Sequence, residues 1–297
     1  MSKCATVSVI GRPSAGKSTL VNTICGMKVS ITAKTPQTTR NAIRGIYTDQ
    51  RGQLIFTDTP GYHLSDKNIN KRMQEITAGA LNESDIILYL LDGTRERGKE
   101  EDAIITLLKK VKCPIVAVIN KSDILSAEQT EDAEFYIKKN LENAVILKAS
   151  GKVDEGVDEV LIELFKNAPE GELLYPEESY TDQPLEFRIS EIIREKTINL
   201  LTDELPHVIY VDVADIEYNE ESEEVWVRAF IYTERENQRG IIVGKGGENI
   251  RKIRKQSFTE IKRIFPGKKL QLDLRVKASD KWRNNQVILD KVFRTLK

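Results

Sequence analysis

Gly11-Arg12-Pro13-Ser14-Ala15-Gly16-Lys17-Ser18 follows an apolar run over residues 5–10 and precedes a helical pattern that begins near Ser18. Strand, glycine loop and helix start, in that order, make a cradle for phosphate. The glycines let backbone N–H groups converge on phosphate oxygens, and the helix start adds a partial positive charge. Lys17 can reach the β- and γ-phosphates and is the first candidate catalytic residue, with Ser18 the expected Mg²⁺ ligand. The nucleotide-binding set read from the loop is Gly11, Arg12, Pro13, Ser14, Ala15, Gly16, Lys17, Ser18 and Thr19. The bland alternative, a loop that merely contains Gly and Lys, explains neither the spacing nor the flanking strand and helix.

Further short apolar runs, at 53–57, 86–91, 114–119 and 144–147, alternate with helical patterns near 16–26, 69–83, 98–110, 127–139 and 155–167. Runs this short and nearly continuous read as strands covered on both faces. The alternation predicts an α/β fold with a mostly parallel sheet, and ligands in such folds bind at the carboxyl ends of the strands. Every candidate motif sits at such an end.

Residues 28–42 are polar, with Thr32, Thr35, Thr38, Thr39 and Arg40, and a loop of this length is usually functional or mobile. Thr38 or Thr39 is expected to reach the metal and the γ-phosphate and to let go when that phosphate leaves. Asp58-Thr59-Pro60-Gly61 closes the next run. Asp58 is placed to hold Mg²⁺ as the acidic partner of Ser18, and Gly61 to offer a backbone N–H to the γ-phosphate. Tyr62 and His63 follow in the expected second switch. Asn120-Lys121-Ser122-Asp123 ends the run at 114–119. Asp123 supplies the carboxylate that accepts from the N1–H and exocyclic amine of guanine, a donor pair adenine lacks. Asn120 can tie this loop to the phosphate loop, and the Lys121 stem can lie over the base. Ser150 and Gly151 end the last run, where a backbone N–H could meet the guanine oxygen.

The 297 residues suffice for about two domains. Lys plus Arg is 45 against 46 acidic residues, so the whole chain excludes no partner by charge. From Glu234 onward, however, 18 Lys and Arg stand against 7 Asp and Glu, and the residues before carry 27 against 39. Such a split points to a polyanion at the basic end. Cys4, Cys25 and Cys113 are odd in number and widely spaced, as packed thiols in a reducing compartment would be. No secretory leader, low-complexity tract or long apolar span is legible, so a cytoplasmic location is expected, with at most peripheral contact at the inner face of a membrane.

Residues 168–186 are rich in Pro, Glu and Gly and read as a linker between a domain at 1–167 and a second at 187–297. The second half reads as a helix at 186–202, strands at 207–217 and 224–233, a glycine loop, a helix at 248–264, a strand near 269–277 and a final helix. Gly244-Lys245-Gly246-Gly247 lies between helical segments, the G-x-x-G signature of a KH domain that clamps about four nucleotides. The candidate RNA-binding residues are Ile242, Val243, Gly244, Lys245, Gly246, Gly247, Ile250, Arg251 and Arg254. Solvated surface charge is the plain alternative for the last two. His207, Trp226 and Trp282 read as structural.

Together these residues resemble the translation-factor-like GTPases, and more narrowly the Era family. The resemblance runs from residue 5 to about 290 and rests on Gly11-Arg12-Pro13, Gly16-Lys17-Ser18-Thr19-Leu20, Gln37-Thr38-Thr39-Arg40, Asp58-Thr59-Pro60-Gly61, Asn120-Lys121-Ser122-Asp123, Ser190-Glu191-Ile192-Ile193-Arg194-Glu195-Lys196 and Glu204-Leu205-Pro206. It implies a P-loop GTPase domain joined to a smaller α+β KH domain of the second type. It further implies Mg²⁺-dependent GTP hydrolysis and binding of the 3′ end of small-subunit ribosomal RNA during subunit assembly, by a monomer. The family pattern favours Thr39 over Thr38 as the switch ligand and third candidate catalytic residue. Three departures stand out. Ser14-Ala15 replace an Asn-Val pair whose Asn helps hold a monovalent cation, so potassium dependence is not carried over. Tyr62 stands where Ras-like enzymes have a water-positioning Gln and Era relatives a smaller apolar residue, which implies slow intrinsic hydrolysis. Ser150-Gly151 replace Ser-Ala. The alternatives are a nucleotide-gated RNA chaperone with negligible turnover and a GTPase serving RNA modification.

Overall fold

Each apolar run of the first half is a strand in the computed structural model, which describes residues 2–33, 35, 38–62, 68–201 and 208–293. Pro36, Gln37, His63, the stretch 204–206 and His207 therefore lie outside the described residues. The strands are β1 (Lys3–Ile10), β2 (Ile43–Asp49), β3 (Gly52–Asp58), β4 (Ile86–Asp92), β5 (Ile115–Asn120) and β6 (Val145–Ala149). They order as β2-β3-β1-β4-β5-β6, parallel except for the antiparallel pair β2–β3. Every residue of β3 and of β4 is buried, as strands in the middle of a covered sheet must be.

The helices are α1 (Lys17–Cys25), α2 (Asn68–Asn82), α3 (Lys99–Leu108), α4 (Ala127–Asn140) and α5 (Val157–Asn167). In α5 the buried Val157, Val160, Leu161, Leu164 and Phe165 form one stripe at the helical repeat. With α1 they cover Val7, Val9, Phe56, Leu88 and Val118, while α3 and α4 cover Ile87, Tyr89, Leu91 and Ile119 on the other face. Full burial of such a side chain is worth about 1.5–3 kcal/mol, so each face is strongly held to the sheet.

The sequence reading left β2 as loop. Its residues, Ile-Arg-Gly-Ile-Tyr-Thr-Asp, carry no continuous apolar run. The strand exists because β3 pairs with it across the two-residue link Gln50-Arg51, where Arg51 N–H donates to Asp49 Oδ1 at 2.7 Å. As an edge strand it needs cover. The segment after α5 supplies it: Ile46 N–H donates to the Tyr180 carbonyl at 2.9 Å, and the Thr181 hydroxyl to the Arg44 carbonyl at 2.7 Å. The buried Gln53 side chain accepts from Leu174 and Tyr175 N–H and donates to the Tyr175 carbonyl. The Pro- and Glu-rich stretch is thus a strap along the sheet edge up to Asp182, after which the second compact unit begins.

That unit comprises α6 (Leu185–Leu200), β7 (Tyr210–Asn219), β8 (Glu224–Thr233), α7 (Glu236–Val243), α8 (Glu248–Ile261), β9 (Lys269–Ala278) and α9 (Gln286–Val292). β7 and β8 are antiparallel, β8 and β9 parallel. Strict alternation in β8 turns Val225, Val227, Ala229 and Ile231 into a core with Ile189, Ile193, Ile242, Ile253 and Ile261 from the helices. The alternate residues Trp226, Arg228, Phe230 and Tyr232 form the other, half-buried face, with the Arg228 guanidinium over the Trp226 ring. Trp282 is fully buried and donates from Nε1 to the Val208 carbonyl at 2.8 Å.

Candidate functional site

The loop between β1 and α1 makes a sharp turn that only some residues accept. Gly16 has φ +95°, and a Cβ there would lie 2.2 Å from the Asn120 side chain. Ser14 adopts φ 65°, an uncommon place for a non-glycine residue. Lys17 is buried and donates from Nζ to the Gly11 and Arg12 carbonyls at 3.1 and 3.0 Å. Arg12 itself turns away from the loop interior, to the Glu96 carbonyl and the Glu100 carboxylate. Arg95 donates to the Pro13 carbonyl at 3.2 Å from the same side. Glu100 and Arg95 brace the loop, and nothing in their sequence context marks them.

Three oxygen side chains meet at the start of α1. Ser18 Oγ donates to Asp58 Oδ2 at 2.6 Å and lies 2.9 Å from Thr39 Oγ1. Thr39, rather than its neighbour Thr38, is the residue placed against Ser18. Asp58 is fully buried at the end of β3, and its Oδ1 has no hydrogen-bond partner among the described residues. Oxygen ligands from a carboxylate and two hydroxyls, with a spare buried acceptor, suit a small hard cation such as Mg²⁺. Burial pushes the Lys17 ammonium down to about 8, against the attraction of Asp58 and Glu101. Burial likewise pushes the Asp58 carboxyl up, opposed by Lys17 and by the hydroxyls of Ser18 and Ser30.

Gly61 packs so closely on the loop that a Cβ would come within 2.7 Å of Pro13 Cα, and Tyr62 N–H donates to the Gly11 carbonyl at 3.2 Å. Thr59 fixes the same turn, its hydroxyl donating to the Val9 carbonyl at 2.6 Å.

At the end of β5, Asn120 donates from Nδ2 to the Ala15 carbonyl at 2.7 Å and accepts weakly from Gly151 N–H at 3.4 Å. One buried amide therefore joins three loops. Lys121, at φ 65°, reaches the buried Asp92 carboxylate at 2.6 Å, which lays its stem along the loop; Asp123 is exposed beside it. Ser150 is buried, and Gly151 abuts α1: a Cβ there would meet Leu20 Cα at 2.7 Å, so this Gly fits where Ala would crowd. Thr19 is half-buried in the first turn of α1. The nucleotide residues read from sequence thus converge on one end of the sheet.

In the second unit, Gly244, Gly246 and Gly247 all have positive φ, of 75°, 58° and 77°, which favours glycine over residues with a side chain. Asn249 Nδ2 donates to the Ile241 carbonyl at 2.9 Å and lies against Gly244, closing the loop from behind. Lys245, Arg251 and Arg254 are exposed, and Val243 and Ile250 half-buried. Ile242 departs from expectation. It is fully buried in the core, so its side chain seats α7 and is no contact surface.

A family model described as a 50S ribosome-binding GTPase matches residues 6–121, and a KH-domain model matches residues 204–283. The chain is 46% identical to the GTPase Era of Treponema denticola over 96% of its own length and 98% of the relative. It is 43% identical to that of Borrelia hermsii over 97% and 98%. Two solved structures superpose along the whole chain. One is Era in complex with MgGDPNP and nucleotides 1506–1542 of 16S ribosomal RNA, at TM-score 0.94 and 32% identity, covering 99% of both chains. The other is a tyrosine-to-alanine variant of Aquifex aeolicus Era bound to GDP and aluminium fluoride, at TM-score 0.93 and 32% identity, covering 98% of this chain and 99% of that one.

Proposed function

This chain belongs to the Era family of GTPases, and from that premise we propose that it hydrolyses GTP to GDP and phosphate with Mg²⁺ and binds the 3′ end of small-subunit ribosomal RNA in assembly of that subunit. The observation that carries the reading is the meeting of Lys17, Ser18, Thr39 and Asp58 at one strand end.

Backbone N–H groups from Gly11 to Thr19 surround the phosphates, and Lys17 exchanges its two carbonyl partners for phosphate oxygens. Ser18, Thr39 and Asp58 would hold Mg²⁺, which supplies charge neutralisation on the phosphate oxygens. Thr38, Thr39 and Tyr62, with His63, form the segments that answer to the γ-phosphate, and Gly61 offers its N–H to it. Asp123 selects guanine, Lys121 lies over the base, and Asn120, Ser150 and Gly151 fix its pocket. With Tyr62 in the water-positioning place, intrinsic hydrolysis is slow, and with Ser14 in the loop it is independent of potassium.

RNA is clamped by Gly244–Gly247 with Val243, Lys245, Ile250, Arg251 and Arg254 around the loop. We assign residues 1–167 to the GTPase domain, 168–186 to the linker and 187–297 to the KH domain, consistent with the break between compact units after Asp182. The protein works as a cytoplasmic monomer. No described helix is long and apolar enough to cross a membrane. Contact with the inner membrane face would be peripheral and would use the basic KH end, in competition with RNA.

The test is GTP turnover with and without an oligonucleotide of the ribosomal RNA 3′ end, in the native protein and in Asp58→Ala and Gly244→Asp. Asp58→Ala should abolish turnover, and Gly244→Asp should abolish only the RNA-dependent increment. Equal turnover in native protein and Asp58→Ala would defeat the proposal.

A further inference from the structure

Ser30 carries no motif and lies in a stretch that reads as loop, yet it is 2% exposed, and its hydroxyl has no hydrogen-bond partner among the described residues. Buried hydroxyls are normally paired, so an unpaired one asks for an explanation. Its place is fixed by one side chain. Asn22, on α1, accepts from Val29 N–H and from Ser30 N–H with Oδ1, both at 2.8 Å, and donates from Nδ2 to the Ser30 carbonyl at 2.8 Å. The backbone of Ser30 therefore moves as part of α1, the helix that also carries Lys17 and Ser18. The Ser30 hydroxyl faces the Asp58 carboxylate and works against the rise in its pKa, without closing an ordinary hydrogen bond to it. Asp58 Oδ1 is the second buried oxygen of the pair with no partner.

We infer that Ser30 and Asp58 Oδ1 form a paired acceptor for a water on the Mg²⁺ ion, with Asn22 the positioning residue that holds Ser30 in place. The inference rests on the metal reading given above. A water whose lone pair is engaged by a cation has two protons to place, and a buried site must accept both. The two orphaned oxygens are two acceptors in one place, and Mg²⁺ characteristically keeps several of its waters. Ser30 thus acts on the metal through the water, as outer partners of metal ligands do.

The experiment follows release of a fluorescent GDP analogue from the full-length protein across a Mg²⁺ titration and in excess EDTA, for the native chain, Ser30→Ala, Ser30→Cys and Asn22→Ala. Ser30→Ala and Ser30→Cys should each raise the Mg²⁺ concentration needed for half-maximal retention by about tenfold, in the range typical of lost outer partners. Release in EDTA should be unchanged in both. The cysteine variant keeps nearly the same volume, so a shared loss identifies the oxygen rather than the packing. Asn22→Ala should show the same Mg²⁺ shift, with thermal melts to confirm folding. An unchanged Mg²⁺ midpoint in Ser30→Ala, or a loss of affinity equal with and without Mg²⁺, would overturn the inference. If Mg²⁺ has no effect on release from the native protein, the metal reading itself fails, and that outcome is visible before any variant is compared.

Discussion

Gly16→Ala and Asn120→Ala should be strongly coupled, because the added methyl of the first lands on the amide removed by the second. A Cβ on Gly16 would sit 2.2 Å from Asn120 Nδ2, and the backbone there has φ +95°. Asn120 is 3% exposed and has no room to retreat without giving up its 2.7 Å bond to the Ala15 carbonyl. The left-handed backbone costs an alanine about 1–2 kcal/mol. Unpairing a buried carbonyl costs about 1–3 kcal/mol more. Gly16→Ala alone should therefore destabilise by about 2–5 kcal/mol and Asn120→Ala by about 1–3 kcal/mol. In the double variant the bond is lost only once, so the total should fall short of the sum by about 1–3 kcal/mol. Urea unfolding followed by far-ultraviolet circular dichroism measures the cycle. Both tryptophans, Trp226 and Trp282, lie in the second unit, so their fluorescence transition should stay put and serves as an internal control. GDP affinity should drop in each single variant. Costs that add to within about 0.5 kcal/mol would refute the reasoning, since sites that do not interact behave that way.

Ser14→Asn should raise the thermal midpoint by about 1–4 °C, because Asn tolerates the φ of 65° that strains Ser; scanning calorimetry checks it. Glu101 accepts from the Tyr89 hydroxyl at 2.5 Å, and burial holds its carboxyl above the ordinary value of 4.5. A raised folded-state pKa gives stability that is full below 4.5 and is lost as pH rises through the folded value, so Glu101→Gln should flatten the fall in stability on going from pH 4.5 toward neutrality. Gly244→Asp should weaken RNA binding at least tenfold in a filter-binding or anisotropy assay while leaving GDP affinity intact. The new side chain would meet Asn249 Cγ at 2.8 Å and add a negative charge where phosphate must approach.

The phosphate loop, Asp58, Asn120 and the glycine loop at 244–247 were legible in the sequence because their chemistry is local. A backbone that must turn left-handed asks for glycine, and a guanine donor pair asks for a carboxylate at a strand end. The same locality made the buried strands β3 and β4 readable, since burial on both faces leaves an unbroken apolar run. Tertiary structure alone decided β2, whose broken pattern becomes a strand only through its partner β3 and the strap at 174–182. It also decided that Ile242 faces the core and not the nucleic acid, because a hydrophobic residue beside a binding loop has the same letter in either role. Asn22 and Ser30 belong to this second class. Their meeting depends on how the chain leaves α1, and hydrogen bonds between residues seven and eight apart across a helix end have no periodic signature. Sequence thus determined which chemical groups are present and the local turns that present them, while the packing of helices on the sheet determined which buried oxygens are left to face one another at Asp58.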